Sequence, residues 1–161
     1  MQLLEECVNL KLAASHLGFS VERTTPLIGK LTWSPEELER LESLCSRFAR
    51  LSDLLTQRLM RLVDYIELTP EGSLLDRIHR AEKRGWTQEA NLLIRIRELR
   101  NVIAHEYAAS KMHDLYTATS TFAPKLLSVV QRPPRERRKA LSAPRRHDRL
   151  CLLYTSPSPR D

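Results

Sequence analysis

The chain is poor in glycine, aromatic residues and long apolar runs, and each shortage excludes a class of protein. Only four of its 161 residues are glycine, too few for the many tight turns of a β-rich fold. Aromatic residues account for 6%, so Leu, Ile, Val and Ala must form the core. No apolar run approaches the roughly 20 residues of a membrane-spanning helix. The sequence therefore predicts an all-α protein without a membrane partner.

Cysteine is also scarce. Cys7, Cys45 and Cys151 are odd in number, widely spaced and outside any Cys-x-x-Cys pair, which predicts neither a disulfide framework nor a zinc site. Glu5 and Glu6 stand where a secretory signal would carry basic residues. We therefore expect a reduced, cytoplasmic protein that uses no metal and no cofactor.

Positive charge is unevenly distributed along the chain. The net charge is +6, but residues 1–130 contain 17 Lys and Arg against 17 Asp and Glu. Residues 131–149 hold eight basic residues against two acidic ones. The part that we expect to fold is therefore neutral, and the basic balance of the whole chain does not by itself indicate a nucleic-acid partner.

We divide the chain into three segments. Residues 1–33 should form a helix from about Gln2 to Leu17, ended by Gly18, and a loop that packs on the rest. Residues 34–130 should form a helical bundle. Residues 131–161 are rich in Arg, Pro and Ser without periodicity, which is typical of disorder. The stretch from Cys151 onward resembles translated sequencing-adapter sequence, so we treat this basic tail as partly non-native and draw no function from it.

The bundle opens with a strong local signal. Ser34 can cap a helix, Pro35 suits its first position and Glu37 completes a capping box. Apolar residues then recur every three or four positions, which predicts a helix from Pro35 to about Leu68. At 1.5 Å per residue this helix would be about 50 Å long, a length typical of a hairpin or bundle.

Three further helices should follow. Ser73 and Asp76 resemble a second capping box, which opens a short helix that ends at Gly85. Thr87 can cap the next helix. The last covers about 111–130, and Pro124 inside it should kink or shorten it. Four antiparallel helices with short connections make a bundle, to which the N-terminal helix is an addition.

The third bundle helix carries the residues best suited to chemistry. It contains the string Arg97-Glu98-Leu99-Arg100-Asn101-Val102-Ile103-Ala104-His105-Glu106-Tyr107. Arginine presents a planar, permanently charged fork that suits phosphate, and histidine exchanges protons near neutral pH. Asn101 and His105 are four residues apart and share a helix face. An RNA phosphodiester is a substrate that these groups suit.

The spacing of Arg100 and His105 constrains how they would act. They lie about 140° apart around a regular helix, so a site that uses both needs a groove facing both flanks, or a second copy of the helix. The second arrangement is a twofold homodimer with a shared cleft. On spacing alone, a half-buried His105 bonded to Asn101 or to a backbone carbonyl would be an ordinary structural feature.

The complete string is more specific than this spacing. It resembles the signature of HEPN domains, and in particular the Arg-x4-His-x-Tyr pattern of the HepT-like branch. Stretches of residues 34–51 and 76–85 resemble the body of the same family, so the resemblance covers about residues 34–130. It implies a four-helix, usually dimeric, metal-independent ribonuclease. Arg100 and His105 would be catalytic, and Asn101 would support them.

The resemblance also implies a partner protein. In HepT-like toxins an MntA-type nucleotidyltransferase antitoxin transfers AMP to the motif tyrosine, here Tyr107. A charged group beside a phosphate-binding arginine would block RNA by repulsion and bulk. The resemblance therefore favours an endoribonuclease toxin of a HEPN/MNT toxin–antitoxin pair. The alternatives are a non-catalytic helical partner of a nucleotidyltransferase, acting as a substrate-binding or antitoxin-like subunit, and a general helical interaction module.

A second group of basic residues is a candidate for guiding RNA towards the cleft. It comprises Arg77, Arg80, Lys83 and Arg84 on the short helix, with Arg97 beside the motif. A solvated helix face is the simpler explanation of the first four, because charged residues on an exposed helix face are ordinary and need no ligand. His79 and His113 have no acidic or cysteine partner at metal-ligand spacing, so we expect both to face solvent.

Overall fold

The computed structural model describes residues 2–105 and 109–131, and every regular element in these ranges is helical. The elements are α1 (Gln2–Thr24), α2 (Pro35–Asp53), a π-helical segment (Leu54–Leu59), α3 (Met60–Ile66), α4 (Leu74–Lys83), α5 (Ala90–His105) and α6 (Met112–Gln131). Single 3₁₀ turns occupy Thr25–Leu27 and Ala109–Lys111. The all-α prediction is confirmed. The predicted tail, 131–161, lies outside the described residues except for Gln131.

The core lies between α1, the long α2–α3 rod, α5 and α6. Buried leucines from all four sides meet there, with Leu17, Leu44, Leu93 and Leu126 fully enclosed. Burial of side chains of this size contributes roughly 1.5–3 kcal/mol each. In the described ranges no helix is both long enough and apolar enough to cross a bilayer.

The N-terminal helix is longer than the sequence predicts. Gly18 does not end it, and the expected loop is helical as far as Thr24 and then forms a 3₁₀ turn. The reason is packing, because Ser20 and Thr24 continue the buried face that Leu17 begins. Arg47 of α2 also donates to Ser20 Oγ at 2.7 Å and so holds α1 beyond the glycine.

Two predicted helix starts are confirmed. The Ser34 hydroxyl accepts from the Glu37 amide at 3.3 Å, while the Glu37 carboxylate accepts from the Ser34 amide at 3.0 Å. Ser73 and Asp76 make the same reciprocal pair at the start of α4. Gly85 follows the end of α4 with φ +75°, the left-handed conformation that glycine adopts without a steric penalty.

The long helix predicted from Pro35 is continuous to Ile66, but its middle is not α-helical. A π-helical segment inserts there, and the Met60 amide donates to the Leu55 carbonyl, five residues back. Such segments are rare and occur often at functional sites. Just after α3, Leu68 adopts φ +53°, and the Thr69 amide closes the turn onto the Asp64 carbonyl at 2.9 Å.

The last two helices differ from expectation at single points. α5 begins at Ala90, whose amide donates to the Glu82 carboxylate at 2.8 Å, so a side chain of α4 completes the cap near Thr87. α6 is not shortened by Pro124 and continues to Gln131. Pro124 is exposed, so the lost backbone hydrogen bond lies on the solvent side of the helix.

Chain order fixes the direction of α5. Its start lies beside α4, whose Arg84 contacts Glu67 beyond the end of α3. After its end the chain enters α6, where His113 stacks on Trp33 at the start of α2, with ring centroids 5.2 Å apart. α5 therefore runs antiparallel to the α2–α3 rod.

Candidate functional site

Arg100 is held against the long helix by a carboxylate that the motif does not contain. Its Nε donates to both oxygens of Asp53, at 2.9 and 3.0 Å, and its Nη2 donates to Oδ2 at 2.7 Å. Asp53 is the last residue of α2 before the π-helical segment. Paired bonds of this kind fix the plane of a guanidinium as well as its position.

Arg97 shares the same carboxylate. Its Nη1 donates to Asp53 Oδ1 at 3.0 Å, one helical turn before Arg100. The Asp53 side chain is 35% exposed, and those of Arg97 and Arg100 are 23% and 26% exposed. Nη1 of Arg100 and Nη2 of Arg97 have no partner among the described residues. Each arginine therefore keeps donors for an added anion.

Asp53, Arg97 and Arg100 line a surface cleft between α5 and the long rod. The cleft has a volume of about 550 Å³ and is lined by Arg50, Asp53, Leu54, Gln57, Arg58, Arg97 and Arg100. Four guanidinium groups face one carboxylate, a net formal charge of +3. Glu6 of α1 reaches Arg58 from the edge at 3.5 Å. The cleft is suited to a negatively charged ligand.

His105 is placed differently from Arg100. It is the last residue of α5 and is exposed, as is Asn101 one turn before it. Leu93, Ile96 and Leu99 occupy the buried face of α5, which leaves Arg100 beside the rod and the imidazole on an outward flank. The guanidinium of Arg100 and the imidazole of His105 therefore lie on different faces of α5. Their spacing in the sequence predicts this separation.

Tyr107, the predicted modification site, lies outside the described residues, which end at 105 and resume at 109.

No protein-family model, curated protein or solved structure matches this chain.

Three of the four arginine and lysine candidates on α4 turn inward. Asp64 of α3 accepts from Arg80 at 2.6 Å and from Arg84 at 2.7 Å, and Arg77 lies 3.8 Å away. Lys83 is exposed. The prediction that this basic face is solvated is therefore wrong for Arg77, Arg80 and Arg84. Their guanidinium groups point towards the buried carboxylate of Asp64. Their contacts provide no support for a role in guiding RNA.

The charges in this buried cluster reinforce each other. Burial alone would raise the pKa of Asp64, but hydrogen bonds from Arg80 and Arg84 outweigh burial and lower that pKa. Burial likewise acts to lower the pKa of Arg84, and its bonds to Asp64 and Glu67 raise it instead. The cluster therefore stays ionised at neutral pH and ties α4 to α3.

Other reactive groups are poorly placed for catalysis. Burial raises the pKa of the Cys45 thiol to about 11, and burial raises that of Tyr116 to about 12. Neither therefore ionises readily at neutral pH. His113 is exposed and stacks on Trp33, and His79 is exposed on α4. Within 2–105 and 109–131, no group of three or more His, Cys, Asp or Glu side chains is placed to hold a metal ion.

Sequence reasoning missed Asp53, Arg50 and Arg58. They lie 32 or more residues before α5, the helix that carries the motif, and their own helix has an apolar repeat that predicts only packing. The charges on its outer side give no indication of which helix they face. A fold that places this helix against the motif helix was needed to find them.

Proposed function

We propose that this protein is a metal-independent endoribonuclease of the HEPN type, and that it acts as the toxin of a HEPN/MNT toxin–antitoxin pair. The observation that supports it best is the pairing of Arg100 with Asp53 at the wall of an open, positively charged cleft. The exposed His105 at the end of the same helix agrees with this proposal.

The chemistry needs a proton acceptor, a proton donor and a cation. A neutral His105 takes the proton from an RNA 2′-hydroxyl. The 2′-oxygen attacks the adjacent phosphorus, the bond to the 5′-oxygen breaks, and a protonated imidazole gives its proton to that oxygen. The products are a 2′,3′-cyclic phosphate and a 5′-hydroxyl. Arg100 holds the phosphate and stabilises its growing negative charge.

A second copy of the chain supplies the second imidazole. In a twofold dimer the last turns of both α5 helices face one cleft, so each chain contributes a guanidinium and an imidazole. The exposed flank of α5, with Asn101, Val102 and His105, is free of packing within the described part of one chain. This arrangement also brings together groups that a single helix holds about 140° apart.

RNA cleavage in the presence of EDTA tests the nuclease. We expect the wild-type protein to cut single-stranded RNA to products with 2′,3′-cyclic phosphate ends, and His105→Ala to abolish cutting. His79→Ala is the matched control, because His79 is exposed on α4 away from the cleft. Cutting that survives in His105→Ala would remove this imidazole from catalysis. A wild-type protein that never cuts, and does not arrest growth when expressed alone, would favour the non-catalytic partner.

Mixing wild-type protein with an inactive variant tests the shared cleft. A mixed dimer of wild type and His105→Ala keeps only one of the two imidazoles that the proposed cleft needs. We expect an excess of His105→Ala, with exchange of subunits demonstrated, to lower the cutting by a fixed amount of wild-type protein. Unchanged cutting would show that each chain carries a complete site.

Tyr107 links the nuclease to its antitoxin. We propose that the partner nucleotidyltransferase silences the toxin by AMP transfer to its hydroxyl. With ATP and the partner, the wild-type protein should gain the mass of one AMP and lose activity. Tyr107→Phe should keep its mass and its activity. Loss of activity without added mass would instead indicate inhibition by simple occlusion.

A further inference from the structure

The arginines of the cleft extend beyond the motif helix. Arg50 and Arg58 belong to the α2–α3 rod, which forms the wall of the cleft opposite α5. They line the same cleft as Arg97 and Arg100. Arg50 is exposed, and its guanidinium has no partner among the described residues. Arg58 is 62% exposed at its side chain and contacts Glu6 at 3.5 Å, a pair that contributes little at the surface. Both cations are available to a ligand.

Their positions follow the direction of α5. Because α5 runs antiparallel to the rod, Arg50 is displaced from Asp53 towards the His105 end and Arg58 towards the other end. At 1.5 Å per residue, Arg50 stands about 4.5 Å from the level of Asp53, and His105 about 7.5 Å beyond Arg100. Arg50 therefore lies, along the helix axis, between Arg100 and His105.

We infer that this cleft is a binding track for the phosphodiester backbone of single-stranded RNA. The inference rests on the proposed function and extends it to residues outside the motif. Arg100 holds the reacting phosphate, Arg50 contacts the backbone on the side nearer His105, and Arg58 contacts it on the other side. Asp53 is a positioning residue that fixes Arg97 and Arg100 by their paired bonds.

Salt-dependent binding tests the track. Fluorescence anisotropy with a short single-stranded RNA, in the His105→Ala background to prevent cutting, gives the dissociation constant across salt concentrations. Each lost phosphate contact should reduce the slope of log affinity against log salt by about 0.7, or about fivefold in affinity at 0.1 M salt. We expect this loss for Arg50→Gln and for Arg58→Gln, and about 25-fold for the double variant.

Two further variants give the test its controls. Arg95→Gln removes an exposed arginine from α5 that lies over the Phe122 ring instead of in the cleft, and its slope should be unchanged. Asp53→Asn removes the negative charge from the described lining and should tighten RNA binding, whereas with His105 intact it should slow cutting because Arg97 and Arg100 lose their fixed positions. If Arg95→Gln weakens binding as much as Arg50→Gln, the effect is one of overall charge and the track is wrong.

The ligand class is tested by substitution of the ligand. DNA of the same sequence should bind with a similar slope, because backbone contacts do not read the 2′-hydroxyl, but it should not be cut. A poly-glutamate peptide of equal charge should bind at least tenfold more weakly. Equal binding would make the cleft a site for acidic protein and overturn the inference.

The outcomes separate the two proposals. A wild-type protein that cuts RNA, with cutting and binding unaffected by Arg50→Gln and Arg58→Gln, would keep the nuclease and remove the track. A wild-type protein that never cuts RNA but binds it through both arginines would keep the track and remove the nuclease.

Discussion

Two carboxylates on the same long rod collect arginines in contrasting ways. Asp64 lies in α3 with its side chain 9% exposed, and it receives arginines from α4. Asp53 lies eleven positions earlier with its side chain 35% exposed, and it receives Arg97 and Arg100 from α5. The carboxylate of the first cluster is the more buried, although Asp64 and Arg80 line a smaller cleft of about 240 Å³, and the second cluster forms the wall of a cleft of about 550 Å³.

The two clusters have the same chemistry, one aspartate paired with several arginines, and differ in how far they are buried. Burial determines what each cluster contributes. An enclosed ion pair loses its solvation, so removal of one partner leaves an unpaired buried charge and costs several kcal/mol. A half-exposed pair is partly screened and contributes little to folding. Its arginines remain open to a competing anion. We therefore expect the Asp64 cluster to act as a structural clamp, whereas the exposure of the Asp53 cluster agrees with the ligand site that we propose.

The largest expected effect is on stability at the enclosed cluster. Asp64→Asn keeps the shape of the side chain but removes the charge that Arg80 and Arg84 share, so the free energy of unfolding should fall by about 3 kcal/mol. Urea denaturation at pH 7, followed by far-UV circular dichroism, measures it.

Asp53→Asn is the matched control for this prediction. The same substitution at the half-exposed cluster should cost less than about 1 kcal/mol. Equal losses from the two variants would show that burial does not distinguish the clusters.

The next effect is on catalysis at the open cluster. Arg100→Lys keeps the positive charge but loses the planar fork, since an ammonium cannot make the paired bonds of a guanidinium. We expect the cleavage rate constant to fall about 100-fold, equivalent to about 2.7 kcal/mol in activation free energy, with the urea midpoint nearly unchanged. Arg84→Lys should show the opposite pattern. A stability loss in Arg100→Lys as large as its catalytic loss would make Arg100 a structural residue.

The starts of the helices that carry the Asp64 cluster could be predicted from the sequence. The ion pairs of Asp64 with Arg80 and Arg84 could not. The capping boxes at Ser34 and Ser73 are short-range signals, and both predicted starts are confirmed because all their atoms lie within one helical turn. Gly18 misled the prediction for α1, since the contacts that extend this helix come from α2. Local signals cannot report such contacts.

The site was predictable only in part for the same reason. The motif made Arg100 a candidate, and its spacing from His105 predicted different flanks of α5, which is where the structure has them. Asp53 forms its contacts across 47 residues of sequence, and nothing in its neighbourhood distinguishes it from Asp64. The inward orientation of Arg77, Arg80 and Arg84 was not predicted. A periodic row of basic residues has the same sequence pattern whether it faces solvent or a buried carboxylate.

A smaller effect should appear in the dependence of stability on pH. An unfolded aspartate titrates near pH 3.9, and the folded pKa of Asp64 is lower because of its bonds to Arg80 and Arg84. The unfolded state therefore takes up the proton first, and the stability that Asp64 contributes is lost as pH falls below about 4. The urea midpoint of the wild-type protein should be lower at pH 3 than at pH 6.

Asp64→Asn sharpens this prediction. The variant should lose less stability over the same pH interval, and the remainder should come from the cap carboxylates Glu37 and Asp76, whose pKa values hydrogen bonds also lower. An identical acid loss in both proteins would show that Asp64 is not the group that titrates.

The smallest effect concerns the turn that follows the Asp64 cluster. Leu68 adopts φ +53° with 88% of its surface exposed, a conformation that costs a residue with a Cβ about 1–2 kcal/mol. Leu68→Gly removes this strain but adds freedom to the unfolded chain, so we expect a net gain of about 0.5–1 kcal/mol in the free energy of unfolding. Because this turn belongs to the structural cluster, the cleavage rate constant at 25 °C should not change. A glycine variant that is more stable but cuts RNA more slowly would show that the two clusters are coupled through the rod, and the division between clamp and ligand site would fail.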